Sequence, residues 1–113
     1  MQNPYKKQYA VYIVTNPNKT TLYIGVTNNL PARLLEHWEN RGKKDTFAGK
    51  YFCHNLIYYE VYNNIRIAIK REKELKKWRR EKKEALINTK NPEWKFLNAA
   101  IPNQWPFIHH KRR

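Results

Sequence analysis

The sequence predicts a small α/β domain, a three-stranded antiparallel sheet flanked by helices. Two runs rich in β-branched and aromatic residues, Tyr9 to Val14 and Thr20 to Val26, are separated only by the turn-prone Thr15 to Lys19. A third such run spans Phe52 to Tyr62, and the stretches around these three carry apolar residues at helical spacing. A length of 113 residues suits one compact domain, and 41% hydrophobic residues with 4 Trp, 8 Tyr and 4 Phe supply its core. That composition argues against intrinsic disorder.

The first two strands read as an antiparallel hairpin because the connection is short and Asn16, Pro17 and Asn18 favour a turn. Gly25 within the second strand marks a place where backbone or ligand approaches closely. Thr27, Asn28 and Asn29 offer caps for a short helix from Leu30 to Asn40, with Pro31 in its first turn and Leu34 and Trp38 continuing the apolar face. Arg41 to Lys50 has no clear period and reads as a loop. The third strand centres on Leu56 to Val61. Asn63 or Asn64 then caps one long helix running to about Ile87, in which Ile65, Ala68, Leu75, Trp78 and Leu86 share a stripe at about 100° per residue and Glu72 falls inside it. Trp94 to Ala100 suits one more short helix. The expected division is an N-terminal extension over 1–8, the domain over 9–97 and a C-terminal tail over 98–113, with His109 to Arg113 mobile.

Charge narrows the partners. There are 23 Lys and Arg against 9 Asp and Glu, a net charge of +14, and ten of the basic residues lie between Arg66 and Lys83. Such a field attracts polyanions, with nucleic acid the first expectation and an acidic membrane surface the second. The membrane reading is weaker, because the basic helix sets only a limited apolar stripe opposite its charges. No apolar run approaches the roughly 20 residues of a membrane span, and no secretory signal is legible, so a cytoplasmic protein is expected. Cys53 is the sole cysteine, which excludes an intrachain disulfide and a multi-thiolate zinc site. His54, His109 and His110 have no metal-ligand spacing with cysteines. The tryptophans could stack on bases, but in so small a domain core or rim is the stronger reading.

Pairing the hairpin places Tyr12 on one strand and Tyr23 on the next, while Arg33 and His37 lie four apart on one helix face. Ala10, Val11 and Tyr12, followed by Tyr23, Ile24 and Gly25, then Arg33, His37, Glu72 and Asn91, resemble in order the hallmarks of the GIY-YIG nuclease domain. The layout is similar to small stand-alone bacterial members related to the nuclease half of a bacterial excinuclease. The resemblance covers about Tyr9 to Leu97. Ala10 and Val11 depart from the glycine and isoleucine of the family name, but neither position carries a reactive group.

The resemblance implies a metal-dependent DNA endonuclease acting in repair or processing. Glu72 would bind one Mg²⁺ or Mn²⁺, and Arg33 would hold a phosphate oxygen. Tyr12 would be the candidate base, its phenolate favoured by nearby positive charge. Tyr23 and His37 would position water or phosphate, and Asn91 would order the site or contact backbone. Spacing leaves open which group takes the proton. Lys43, Lys44, Lys70, Arg71, Lys73, Lys76 and Lys77 are the candidate phosphate contacts. Each site residue also has a plainer reading: strand packing for the tyrosines, an exposed face for Arg33 and His37, a local ion pair for Glu72, a turn or cap for Asn91. The alternative function is a non-catalytic basic module that binds nucleic acid with the same fold. With no separate reading module in the chain, sequence specificity would come from loops, a homodimer or a partner protein.

Overall fold

The computed structural model describes residues 7–107. Strand β1 (Tyr9–Thr15) is the centre of the sheet, with β2 (Leu22–Thr27) on one side and β3 (Asn55–Tyr62) on the other, both antiparallel to it. Both faces of β1 are covered, and Ala10 to Val14 are all 0% exposed, which is why this run is continuously apolar rather than alternating. The hairpin turn is closed by Asn16, whose Oδ1 accepts from the amides of Thr20 and Thr21 at 2.8 and 2.9 Å.

Helices form a layer on each face. On one, α1 (Leu30–Glu39), the single turn α2 (Phe47–Lys50) and a 3-10 segment, Asn98–Asn103, cover Ala10, Tyr12, Val14 and Leu56. On the other, α3 (Ile65–Lys76) and α4 (Arg80–Lys90) cover Val11, Ile13, Ile57 and Tyr58. A bulge lets β3 serve both layers, because Val14 pairs with Leu56 and Ile13 with Tyr58, leaving Ile57 without a partner. Asn91, the residue closing α4, donates from Nδ2 to the Ile57 carbonyl at 2.9 Å and so satisfies a group the bulge withdraws from the ladder.

Three expectations are corrected. The single helix to Ile87 is two helices, broken at Lys77 to Arg79. An unbroken helix of that length would run about 36 Å, against about 26 Å for an eight-residue strand, so the chain turns to keep Leu75 and Ile87 on the same sheet. Arg80 secures the turn by donating to the Thr20 carbonyl at 2.8 Å. Within the expected loop lies α2, capped by Thr46, whose Oγ1 accepts from the Gly49 amide at 3.0 Å. A helix over Trp94 to Ala100 does not form. Trp94 takes a φ of 54°, Leu97 donates its amide to the Leu56 carbonyl at 2.8 Å, and helical structure begins only at Asn98.

Residues 98–107 pack against the sheet. Ile101 is buried, Trp105 and Phe107 rest on the same core, and the Phe107 amide donates to Gln8 Oε1 at 2.8 Å. His109 and His110 lie outside the described residues. No helix among the described residues is long and apolar enough to cross a membrane.

Candidate active site

Strand β1 delivers Tyr12 to the α1 face, directly across from Gly25 of β2. A Cβ at Gly25 would stand 2.4 Å from the Tyr12 hydroxyl, so only glycine lets the phenol lie there. Asn29 caps α1 by accepting from the Ala32 amide at 3.1 Å, and this entry geometry sets Arg33 and His37, one turn apart, against Tyr12.

The Tyr12 hydroxyl is 2.8 Å from His37 Nε2, and Arg33 Nη1 donates to it at 3.4 Å. Tyr12 is 0% exposed and its phenol has one proton to place. Since Arg33 can only donate, the phenol oxygen accepts from Arg33 and donates to His37 Nε2, which puts the imidazole proton on Nδ1. The charge states agree with this direction. Burial pushes the Tyr12 phenol up to about 12 despite the opposing pull of Arg33. Burial, with the neighbouring Arg33 charge, brings His37 down to about 4. Desolvation thus opposes the expected phenolate: it outweighs the single cation and favours phenol and neutral imidazole.

Next to this relay is a cavity of about 220 Å³ lined by Tyr23, Arg33, Glu36, His37, Thr46 and Phe47, among others. Tyr12 lies behind that wall. The Tyr23 ring meets His37 edge-on, centroids 5.6 Å apart, and stacks on Phe47 at 6.2 Å. Arg33 is partly held by Glu36 at 3.1 Å.

Glu72 belongs to α3, in the opposite layer. Its side chain is 13% exposed, and its Oε2 is 2.7 Å from Lys76 Nζ. That ammonium lies 5.7 Å from the Tyr23 ring centroid, so Tyr23 and Lys76 link Glu72 to the relay around the β2 edge of the sheet. Asn91 stands apart from this group, fastened to β3 and to Lys95, whose amide it accepts at 3.0 Å.

Of the candidate phosphate contacts, Lys43, Lys44, Lys70, Lys73, Lys76 and Lys77 are exposed. Arg71 is differently employed: it grips Glu60 with two bonds of 2.9 Å and Glu74 with one of 3.0 Å. Burial would raise the Glu60 carboxyl, but bonds from Arg71, Tyr58 and Tyr62 prevail and bring it down to about 2. Sequence reasoning missed Glu60, the contact of Lys76 with Tyr23 and the share of Thr46 and Phe47 in the cavity. For the last pair a signal existed: Thr46 is a capping residue ahead of Phe47 and Ala48.

Comparison with known proteins decides the family. Residues 8–85 match the GIY-YIG catalytic domain, most of the chain. The chain belongs to the GIY-YIG family. That is a nuclease family, as the ordered residues implied. Similar curated proteins include a UPF0213 protein of Bacillus pumilus, 37% identical over 59% of this chain and 66% of its own length. Another UPF0213 protein, from Bacillus velezensis, is 32% identical over 78% of this chain and 87% of its own length. Among solved structures, the solution structure of a UPF0213 protein from Bacillus halodurans covers 77% of this chain and 89% of its own, with a TM-score of 0.50 and 24% identity, and it shares the fold.

GIY-YIG nucleases generally depend on a divalent metal. No group of three His, Cys, Asp or Glu side chains comes together among the described residues. Glu72 nevertheless fits a hard cation of this kind, which commonly takes one or two carboxylate oxygens and completes its shell with water and substrate phosphate. Its present partner is the exposed Lys76 ammonium.

Proposed function

We propose that this GIY-YIG chain is an endonuclease that hydrolyses DNA phosphodiester bonds, with Mg²⁺ or Mn²⁺ held at Glu72. The observation that carries the reading is the Tyr12 hydroxyl held between Arg33 Nη1 and His37 Nε2 at the wall of a cavity. A structural tyrosine needs only one partner. This one is fully buried between a cation and a neutral imidazole, opposite a glycine that makes room for it.

Arg33 and His37 line the cavity and would receive the scissile phosphate, Arg33 by its planar fork of donors. The Tyr12 and His37 pair is neutral at rest and its one unprotonated nitrogen is His37 Nε2, so a proton delivered from the attacking water to the Tyr12 oxygen would pass the phenol proton on to Nε2. Tyr23 packs against His37 and limits its tilt. A metal ion at Glu72 would supply Lewis-acid stabilisation of charge on the phosphoryl and leaving oxygens. Lys76, beside Glu72, and the exposed lysines of α3 would hold flanking phosphates.

The test is cleavage of labelled duplex, single-stranded and branched DNA, with RNA alongside, in Mg²⁺, Mn²⁺ or EDTA. Metal-dependent cleavage of DNA, lost in Glu72→Ala while DNA binding persists, is expected. Tight binding without cleavage of any form would leave a non-catalytic binding module. Cleavage at the parental rate by folded Glu72→Ala would remove the metal assignment.

A further inference from the structure

Helix α1 has a second working face. About 150° around the helix from Arg33 and His37, Leu35 and Trp38 help to form one side of a groove of about 480 Å³, which Phe96 and Pro102 border on the other. Three of these side chains are strongly exposed for their type: Leu35 at 56%, Trp38 at 49% and Phe96 at 45%. Trp78, Trp94 and Trp105 pack against the sheet's two cores, and Trp38 belongs to neither.

The groove also has charge and hydrogen-bonding capacity where a nucleotide would use them. The Arg41 guanidinium lies 3.5 Å from the Trp38 ring centroid, and the Lys19 ammonium lies 5.3 Å from that of Phe96, so each aromatic border carries a cation. Among the lining residues are His54 and Asn55. His54 is only 8% exposed, stacks on Trp38 at 5.0 Å and has an Nδ1 with no hydrogen-bond partner among the described residues. Asn55 commits one amide hydrogen to the Thr15 carbonyl at 3.2 Å, and its oxygen remains as an acceptor. A base offers apolar faces for the sides and a polar edge for the Asn55 oxygen, and its flanking phosphates match the two cations. An apolar helix of a protein partner would satisfy the sides but would leave the cations opposed by nothing.

We propose that this groove receives an unstacked base of the same nucleic-acid strand whose phosphate lies at Arg33 and His37. The inference rests on the nucleic-acid reading above and adds a base-holding subsite to it. A helix with its side chains is about 10–12 Å across, a distance that a strand covers in a few nucleotides, so the two faces of α1 are within reach of one strand.

The experiment uses binding, not cleavage. Short DNA strands carrying 2-aminopurine at each position in turn are bound by the full chain in EDTA, alongside strands lacking the base at those positions. A fluorescence change confined to one or two positions is expected. It should vanish in Trp38→Leu and in Phe96→Leu and return in Trp38→Phe, each variant first shown folded by thermal unfolding. Trp38→Leu should weaken the intact strand about tenfold and leave the strand lacking that base unchanged. Equal change in parent and variants, or equal loss on both strands, overturns the subsite while leaving the nuclease reading standing. No binding of DNA by the parent overturns both. Dimerisation that Trp38→Leu abolishes, without dependence on the base, gives the groove to a second copy and overturns the proposal.

Discussion

Tyr12 and Gly25 form a cross-strand pair in which one residue exists to accommodate the other. In Gly25→Ala the new methyl meets the phenol oxygen at 2.4 Å, and the ring must leave its place between Arg33 and His37. The expected outcome is a loss of single-turnover cleavage as severe as that of Tyr12→Phe, together with a destabilisation of about 1–3 kcal/mol that urea unfolding would register. Tyr12→Phe keeps the packed ring and removes only the relay. Its cleavage should fall by about two orders of magnitude or more, with DNA affinity nearly unchanged. If Tyr12→Phe cleaves like the parent, the tyrosine is a core residue and His37 acts alone. The pH dependence follows from His37, held near 4 in the fold against an ordinary value of 6.5. Below pH 6.5 the unfolded chain takes up a proton that the folded chain refuses, so this residue's contribution erodes stability as pH falls from 6.5 toward 4. His37→Gln should flatten the unfolding curve in that window. Unchanged acid sensitivity there would show that the imidazole is not held neutral.

At the scale of elements, α3 is fastened to β3 through Glu60. Arg71 binds it from the helix, and Tyr58 and Tyr62 bind it from the strand. This explains why Arg71, among the expected phosphate contacts, is turned toward β3. Because the Glu60 carboxyl is brought down to about 2 from 4.5, its contribution is fully present above pH 4.5 and is lost as pH falls through about 2. Arg71→Ala leaves a largely buried carboxylate without its cation and should cost about 3 kcal/mol at neutral pH, measured by urea unfolding, with DNA affinity reduced only modestly. A large loss of affinity in a stable variant would assign Arg71 to the phosphate surface instead. The strands, the hairpin and α1 were legible because each element declares itself within its own residues: β-branched runs, Asn16 at the turn, Asn29 as a cap. The break between α3 and α4 was not. Lys77, Trp78 and Arg79 include no glycine or proline, and the helix ends there because the sheet beneath it ends.

For the whole molecule the net charge of +14 is the dominant long-range term. DNA binding should weaken steeply with salt, and replacing Lys70, Lys73 and Lys77 together should lower the slope of log affinity against log salt by roughly 2 to 3. A salt titration by fluorescence anisotropy checks it, and a slope that does not move would place the contacts elsewhere, with Lys43 and Lys44 the next to test. The sequence by itself determined the fold class, the three strands and α1 in their order, the cationic character and the spacing of Tyr12, Tyr23, Arg33 and His37, because these depend on local periodicity, turn chemistry and composition. Only the tertiary structure decided that burial pushes the Tyr12 phenol up, since desolvation depends on what α1 and β2 lay over it. It likewise decided that Asn91 serves the β3 bulge and that Lys76, paired with Glu72 within α3, reaches Tyr23; the contacts of Asn91 with β3 and of Lys76 with Tyr23 join residues dozens of positions apart.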